Sequence, residues 1–217
     1  NNNRITTSDK KSDYYLNFAK KIYQWQKSNL LRFDGVYDDF MGGCDPYCDV
    51  RYETINNEKF RMHNPLRNKV GPAYSYNTGT MISGAAYLYS ATNEQAYYDD
   101  LERMVRASFG YFAKKDQDKT GYHTYDVTGF NNWFNSILMR GYVDAVPYFG
   151  GASVPISTFQ ENLDYAYDNY LKDGMLPPNL LLGWSFDGSK NSVEAMFTFA
   201  FAAEYASLSR YEIEKTH

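Results

Sequence analysis

The stretch from Tyr74 to Leu101 constrains the fold of this chain more than any other stretch. Its first half repeats apolar residues on one face of a helix, and these are Met81, Ala85, Leu88, Tyr89 and Thr92. Small residues within the same half would allow a second helix to approach closely. Asn93 then predicts an N-terminal cap for a following helix. We therefore expect two helices joined by a tight turn.

A polar and aromatic segment, Tyr74 to Asn77, precedes the first of these helices. Apolar helix pairs with such residues at one end suggest a helical toroid with a sugar site at its mouth. Aromatic residues form 18% of the chain, and rings of this kind stack on sugars. Any single Tyr, however, more often packs in a helix interface with its hydroxyl in water. The net charge of −4 argues against a broad nucleic-acid-binding surface.

Helical periodicity also marks the N-terminal part of the chain. Residues 1–12 are polar, which predicts a tail or a truncated connector. An amphipathic helix is expected from Ser12 or Asp13 to about Asn29, with an apolar face of Tyr15, Phe18, Ala19, Ile22 and Trp25. Residues 30–73 then form a long stretch rich in Gly and Pro, and long loops of this kind are often functional.

The rest of the chain predicts more helices and little sheet. After the helix pair, helices are expected near residues 130–148, 155–171 and 190–207. Short β-hairpins are expected only near residues 36–37 and 50–54. About six helices result, and repeated helical hairpins need neighbours that cover their apolar faces.

The two cysteines, Cys44 and Cys48, lie four positions apart. A local disulfide, free thiols or half of a metal site would each fit this spacing. The chain has no second cysteine pair and its three histidines are scattered, which favours a disulfide or thiols over zinc. The sequence therefore predicts no metal site and no cofactor. No segment approaches the ~18 apolar residues that a membrane span needs.

Several segments together resemble glycoside hydrolase family 76, the endo-α-1,6-mannanases. Y-S-Y-N-T-G-T-M-I-S-G-A-A-Y-L-Y-S-A-T-N-E-Q-A-Y-Y-D-D-L is similar to that family's T-Y-N-Q-G…L-Y-x-A-T-G-D…Y-L segment. Y-Y-L-N-F-A-K-K-I-Y-Q-W resembles its Y-L-x-x-A-K-K-I-Y-x-W run. W-F-N-S-I-L-M-R-G-Y resembles its F-K-G-I-F-x-R segment, with Asn135 in place of Lys and Ser136 in place of Gly. The likeness covers nearly the whole chain in the right order.

This resemblance implies an all-α (α/α)6 toroid, of which the chain supplies roughly six helices. Residues 13–217 would then form the C-terminal part of one catalytic domain. The family's activity is retaining hydrolysis of α-1,6-mannan backbones, so the implied partner is α-mannan, with the N-terminal half of the domain as a further partner. An extracellular, periplasmic or cell-surface location is expected.

The resemblance also bears on the candidate site residues. The family's catalytic Asp-Asp pair is followed by Trp residues and precedes the segment matched here, so it is not found in this chain. Asp38 and Asp39 align with a later V-Y-D motif, and we expect them to bind substrate. Tyr76 and Asn77 match the family's Tyr-Asn at the toroid mouth, with helix capping as the alternative. Further substrate-binding candidates are Trp133 and Trp184, and each could instead lie in the core.

Other charged residues are given structural roles. Arg140 is expected to join two helices through a buried carboxylate. Asp99, Asp100 and Asp187 are expected to be solvated or to cap helices. Two alternatives to the mannanase stay open, namely another (α/α)6 sugar enzyme, such as an unsaturated glucuronyl hydrolase or a sugar epimerase, and a helical-repeat glycan-binding module.

Overall fold

Six α-helices form most of the structure. The computed structural model describes residues 8–42, 52–55, 58–61, 68–70, 72–115, 121–185 and 195–215. Within these ranges the helices are α1 (Ser8–Leu30), α2 (Ser75–Thr92), α3 (Gln95–Phe112), α4 (Asn131–Ala145), α5 (Ser153–Tyr170) and α6 (Ala195–Glu214). The prediction of a mostly helical fold is confirmed.

The strands of the described residues form three separate antiparallel ribbons of two strands each. The pairs are β1 (Phe40–Gly42) with β4 (Asn68–Val70), β2 (Tyr52–Ile55) with β3 (Glu58–Arg61), and β5 (Lys114–Lys115) with β6 (His123–Thr124). The predicted hairpin near residues 50–54 corresponds to β2 and β3. Near residues 36–37 there is only an isolated bridge from Leu31 to Tyr37.

The helices alternate between an inner row and an outer layer. Helix α4 packs between α2 and α6, whereas α1 and α3 pack on α2, and α5 packs on α4. Ser75 contacts Asn135 near the starts of α2 and α4, and Ser83 contacts Asp144 farther along both helices. The two inner helices are therefore parallel, and their first turns lie at the same end of the molecule. One hydrophobic core runs through all six helices, from Tyr23 to Tyr211.

Two glycines allow α2 and α4 to approach each other closely. A Cβ atom on Gly79 would lie 2.6 Å from Cα of Leu138, and one on Gly141 would lie 2.6 Å from the carbonyl oxygen of Gly79. Because ordinary carbon–carbon contacts lie at about 3.5–4.0 Å, no side chain fits at either position unless the backbones separate. The small residues predicted to permit close helix approach thus do so at Gly79.

Helix α1 differs from the prediction in its start and in its exposed face. It begins at Ser8, so residues 8–12 belong to the helix and are not a tail, and residues 1–7 lie outside the described residues. The predicted apolar face is exposed, with Tyr15, Phe18, Ile22 and Trp25 all at least 47% accessible. The opposite face, which includes Tyr23, packs against the core.

The turn between α2 and α3 differs from the prediction that Asn93 caps the N-terminus of α3. Asn93 ends α2 in the left-handed conformation, with φ of 55°, and Glu94 occupies the N-cap position of α3. Asparagine tolerates this conformation better than most residues, which explains its place at a helix C-terminus.

Asp100, within α3, is buried and not solvated, because it accepts hydrogen bonds from Lys27, Arg103 and Tyr23. It thereby links α3 to α1.

Arg140 does not make the predicted ion pair, because it is exposed and none of the salt bridges among the described residues includes it. The buried carboxylate on the same helix is Asp144, which pairs at 2.6 Å with Arg210 of α6. Asp144 also accepts hydrogen bonds from Ser83 and Tyr87 of α2. A different arginine therefore joins the inner helices.

Some predictions concern residues outside the described ranges. They are the Cys44 and Cys48 pair, Asp187, and the start of the last helix before Ala195. In the described part of the chain, no helix combines the length and apolar character that crossing a membrane requires.

Candidate sugar-binding site

The first turn of α2 carries the main candidate site. Tyr74 occupies the N-cap position with an extended backbone and makes no capping hydrogen bond through its side chain. Tyr76 and Asn77 lie inside the helix, and both point hydrogen-bond donors at Asp39. Their side chains therefore do not cap α2, which was the alternative to a binding role.

Asp39 is held by these two donors. Its Oδ1 atom accepts hydrogen bonds from the hydroxyl of Tyr76 and from Nδ2 of Asn77, the latter at 3.0 Å. Burial, together with the hydrogen bond to Asp39, raises the pKa of Tyr76 to about 12. The phenol consequently stays protonated and keeps donating at neutral pH. Both donors bind the same oxygen, so they orient the carboxylate and leave Oδ2 for another donor.

Three aromatic rings cluster at the phenol that donates to this carboxylate. Tyr74 and Tyr76 are stacked with ring centroids 6.1 Å apart, and Phe134 of α4 packs against both rings, at 5.1 and 4.6 Å. Asp39 and the three aromatic residues are all half-buried, so aromatic rings and a carboxylate lie together at partly exposed positions. Sugars expose hydroxyls at their edges and C–H groups on their faces, so such a surface suits them.

Asp38 is directed away from this cluster. It is 5% exposed, and its Oδ1 accepts from Nη1 of Arg32 at 3.3 Å. Arg32 also forms a bridge to Asp34 at 2.9 Å, and that hydrogen bond lowers the pKa of Asp34. The two adjacent carboxylates therefore have different partners, and only Asp39 contacts Tyr76 and Asn77.

The two tryptophan candidates lie in different settings. Trp133 lies in the first turn of α4, next to Phe134, and is 37% exposed. Trp184 lies in a 3₁₀ turn (Gly183–Ser185), where its indole N–H donates to the carbonyl of Tyr170 at 2.7 Å. Trp184 is thus tied to the end of an outer helix, whereas Trp133 belongs to the end of the inner row that carries Tyr76.

The buried side-chain amide of Asn135 stabilises the position of the first turn of α2. Asn135 accepts a hydrogen bond from Ser75 at 2.8 Å and donates to the carbonyl of Asp126 at 2.9 Å. It therefore fixes the first turn of α2 against α4 and the segment before α4. A second hydrogen bond joins the segment that carries Asp39 to α2: the backbone N–H of Tyr37 donates to Oγ1 of Thr78 at 3.2 Å.

Sequence reasoning did not assign a role to Phe134 or to the support from Asn135. Both residues lie in the W-F-N-S-I-L-M-R-G-Y segment. The contacts that define their roles join positions 58 to 60 residues apart, namely Phe134 with Tyr76 and Asn135 with Ser75. Their position in a segment that resembles a family motif was the one signal that could have identified them.

Solved structures of two family 76 enzymes share this fold. The α-1,6-mannanase GH76A from Salegentibacter sp. matches at 20% identity with a TM-score of 0.59, covering 92% of this chain and 53% of that enzyme. A family 76 mannosidase from Bacteroides thetaiotaomicron matches at 16% identity with a TM-score of 0.65, covering 94% of this chain and 50% of that protein. The chain thus spans about half the length of these structures, and its α/α toroid architecture is confirmed.

An inactive variant of the Salegentibacter enzyme, in which two adjacent aspartates are replaced by alanine, has been solved with α-1,6-mannotetrose. It matches at 21% identity with a TM-score of 0.56, covering 90% of this chain and 52% of that one. Among curated proteins, no sequence matches this chain. The sequence model of glycosyl hydrolase family 76 matches residues 3–169, which is well over half of the chain. The chain therefore belongs to glycosyl hydrolase family 76.

Proposed function

We propose that this chain is part of a glycoside hydrolase that cleaves α-1,6-mannan backbones internally, with retention of configuration. The observation that carries the proposal is the cluster of Asp39, Tyr76 and Asn77 at the start of an inner helix in a family 76 fold. A structural relative that binds α-1,6-mannotetrose supports the choice of substrate.

In this proposal, Asp39 binds sugar hydroxyls. Its Oδ1 atom is engaged by Tyr76 and Asn77, so Oδ2 can accept from a mannose hydroxyl in a charge-assisted hydrogen bond. Trp133, which is partly exposed at the same end of α4, offers an apolar surface for a neighbouring sugar ring. Asp38 and Trp184 have protein partners and contribute less to binding.

The catalytic carboxyls are proposed to lie outside this chain. A retaining glycosidase needs two carboxyl groups about 5–5.5 Å apart, with one as nucleophile and the other as acid and base. Asp38 is buried against Arg32, and Asp39 is bound to Tyr76 and Asn77, so this pair does not converge on one glycosidic bond. The active enzyme then needs the part of the family fold that this chain does not span.

The exposed face of α1 is proposed to pack against that other part of the fold. Phe18, Ile22 and Trp25 are 47–53% exposed on a helix whose opposite face already packs on the core. Burying a large apolar side chain contributes roughly 1.5–3 kcal/mol, so covering this face would be strongly favourable. The structural relatives, which are about twice as long as this chain, supply the helices that could cover it.

Binding by the isolated chain tests the sugar site. Calorimetric titration with α-1,6-mannotriose should give measurable binding that Tyr76→Phe weakens about tenfold, or by about 1.4 kcal/mol, because Asp39 loses a donor that orients it. Tyr14→Phe is the matched control, since Tyr14 is 51% exposed on α1. Equal weakening by both variants, or no effect of Tyr76→Phe, would contradict the assignment.

Cleavage tests the location of the catalytic carboxyls. The isolated chain and a longer protein with the preceding family segment restored should be assayed on linear α-1,6-mannan, with the anomer of the product followed by NMR. We expect no turnover by the isolated chain and retained configuration with the longer protein. Turnover by the isolated chain would show that its own carboxyls suffice, and inversion would exclude a retaining mechanism.

The proposal also implies where the protein works. Mannan is a polymer that does not cross a membrane unaided, so we propose an extracellular, periplasmic or cell-surface location. Fractionation of cells that express the complete protein checks this, and recovery only with cytoplasmic markers would contradict it.

A further inference from the structure

A buried carboxyl group lies in the middle of α6, and none of the described residues forms an ion pair with it. Glu204 is 2% exposed, and its buried Oε2 atom has no hydrogen-bond partner among the described residues. Burial raises the pKa of Glu204 to about 8. An ionised carboxylate in such surroundings is strongly disfavoured, so the group is a neutral acid at pH 7. The sugar site does not use this acid.

Glu204 lines a small cavity between the inner and outer helices. The cavity volume is about 20 Å³, which is enough for a single water molecule. Four asparagine side chains line it, and they come from α4, α5 and the segment that follows α5; these are Asn132, Asn135, Asn162 and Asn179. Amide groups in these positions can solvate a charge on Glu204.

The cavity also adjoins the segment 171–185 between α5 and α6. Asn132 donates a hydrogen bond to the carbonyl of Pro178, and Asn179 accepts from the backbone N–H groups of Leu181 and Leu182. This segment carries Trp184. Asn132 and Asn179 thus connect the cavity to the backbone of this segment, so a rearrangement of the cavity would also move the segment that carries Trp184.

Few other ionisable groups face Glu204. From the segment before α4, Tyr125 faces the cavity, and from α6 itself Tyr205 adjoins Glu204. Burial raises the pKa of Tyr125, which shares a hydrogen bond of 2.8 Å with Thr158 of α5. Among the described lining residues, α4, α5 and the segment 171–185 contribute no Lys, Arg, His or further carboxylate. Between pH 5 and 9, Glu204 is thus the group whose charge changes inside this cavity.

We propose that Glu204 and its cavity form a pH-sensitive latch, which is closed when the carboxyl is protonated and loosened when it ionises. The neutral acid allows α6 to pack closely on α4. The carboxylate has no cation to pair with among these residues, so it draws water into the cavity and weakens the packing of α6 and of the segment that carries Trp184. This inference does not depend on the proposed sugar site.

The direction of the pH effect follows from proton linkage. The pKa of Glu204 is raised on folding from an ordinary value of 4.5 to about 8, so the folded state binds more protons between these values. The stability due to the neutral acid is therefore fully present below about pH 4.5. It is lost progressively as the pH rises to about 8 and does not change further above that.

Glu204→Gln is the direct test, because glutamine keeps the shape of the neutral acid and cannot ionise. Unfolding constants of both proteins should be measured in urea from pH 5 to pH 9. We define the ratio as the unfolding constant (unfolded over folded) of the unchanged protein divided by that of Glu204→Gln. This ratio should rise by up to about tenfold per pH unit between pH 5 and 8. Glu161→Gln, an exposed change on α5, should give a flat ratio. A flat ratio for Glu204→Gln would overturn the proposal.

Two further measurements test the proposal on proteins that keep Glu204, so they do not depend on the folding of Glu204→Gln. With ¹³C-labelled glutamate, one side-chain carboxyl of the folded protein should titrate near pH 8, and titration of every glutamate near pH 4.5 would overturn the proposal. In a protein with Trp25→Phe and Trp133→Phe, Trp184 is the remaining tryptophan. Its fluorescence should change with a midpoint near pH 8, and a signal that is constant from pH 6 to 9 would refute the link to its segment.

Discussion

The close contact between α2 and α4 gives the sharpest stability prediction, which is that Gly79→Ala destabilises the protein. Alanine stabilises a helix interior by about 1 kcal/mol relative to glycine. At Gly79, however, the added Cβ would lie 2.6 Å from Cα of Leu138 and 2.7 Å from the carbonyl oxygen of Ile137. Both atoms belong to the backbone of α4, so the two helices must separate by about 1 Å to reach ordinary contact distances.

The magnitude follows from these opposed effects. Overpacking a close-packed interface costs roughly 1–3 kcal/mol, and a contact with rigid backbone belongs at the upper end. After subtracting about 1 kcal/mol of helix propensity, Gly79→Ala should lower the free energy of unfolding by about 2 kcal/mol. Gly110→Ala is the matched control, because it also lies inside a helix and its Cβ would meet no atom within 4 Å. That change should raise the free energy of unfolding by about 1 kcal/mol.

Urea unfolding followed by circular dichroism measures both variants. We expect them to differ from each other by about 3 kcal/mol, the sum of a loss of about 2 and a gain of about 1. Gly141→Ala tests the same contact from α4, because its Cβ would lie 2.6 Å from the carbonyl oxygen of Gly79. Once one methyl group has separated the helices, the second should cost less, so the double variant should lose less than the sum of the single losses. Equal stability of Gly79→Ala and Gly110→Ala, or additive losses at Gly79 and Gly141, would refute the reasoning.

Three other substitutions test polar contacts of different burial. Asp144→Ala should lower the free energy of unfolding by about 3 kcal/mol, because it removes the buried partner of Arg210. Glu102→Ala breaks an exposed pair with Arg106 within one helix and should change stability by less than about 0.5 kcal/mol in the same urea experiment. Tyr125→Phe removes one hydrogen bond of Thr158, whose hydroxyl still donates to the carbonyl of Pro155, and should cost about 1 kcal/mol by thermal unfolding; an unchanged transition would contradict the role of that hydrogen bond.

The sequence predicts most helices well because their signals are local. Apolar periodicity located α2 to α5 within a few residues, and glycine and small residues marked the close face of α2. Charged residues were harder to interpret. Asp100 looks like a solvated residue in Y-Y-D-D-L, and only the fold reveals that Lys27 and Tyr23 reach it from 73 and 77 positions away. Arg140 and Arg210 are equally plausible partners for a buried carboxylate until the rotation of each helix is known.

The candidate site was predicted in parts but not as an assembly. Tyr76 and Asn77 could be identified from their motif, and Asp39 from another motif 37 positions earlier, yet no spacing rule joins them. The orphan carboxyl of Glu204 has no sequence signature either, because a glutamate inside F-A-F-A-A-E-Y-A-S-L could face solvent or the core. Long-range packing decides both cases.

The different surroundings of Asp38 and Asp39 also limit what this chain can do chemically. A nucleophile and an acid must act on opposite sides of one anomeric carbon, so their carboxyl groups must converge. Here the buried Asp38 pairs with the partly exposed Arg32, and Tyr76 and Asn77 hold Asp39 at the start of α2. Rotating either side chain towards the other would break these contacts and strand a buried charge or donor, which is costly. In the proposed function, Asp39 therefore holds a sugar, and the carboxyl pair that cleaves the bond comes from elsewhere in the family's fold.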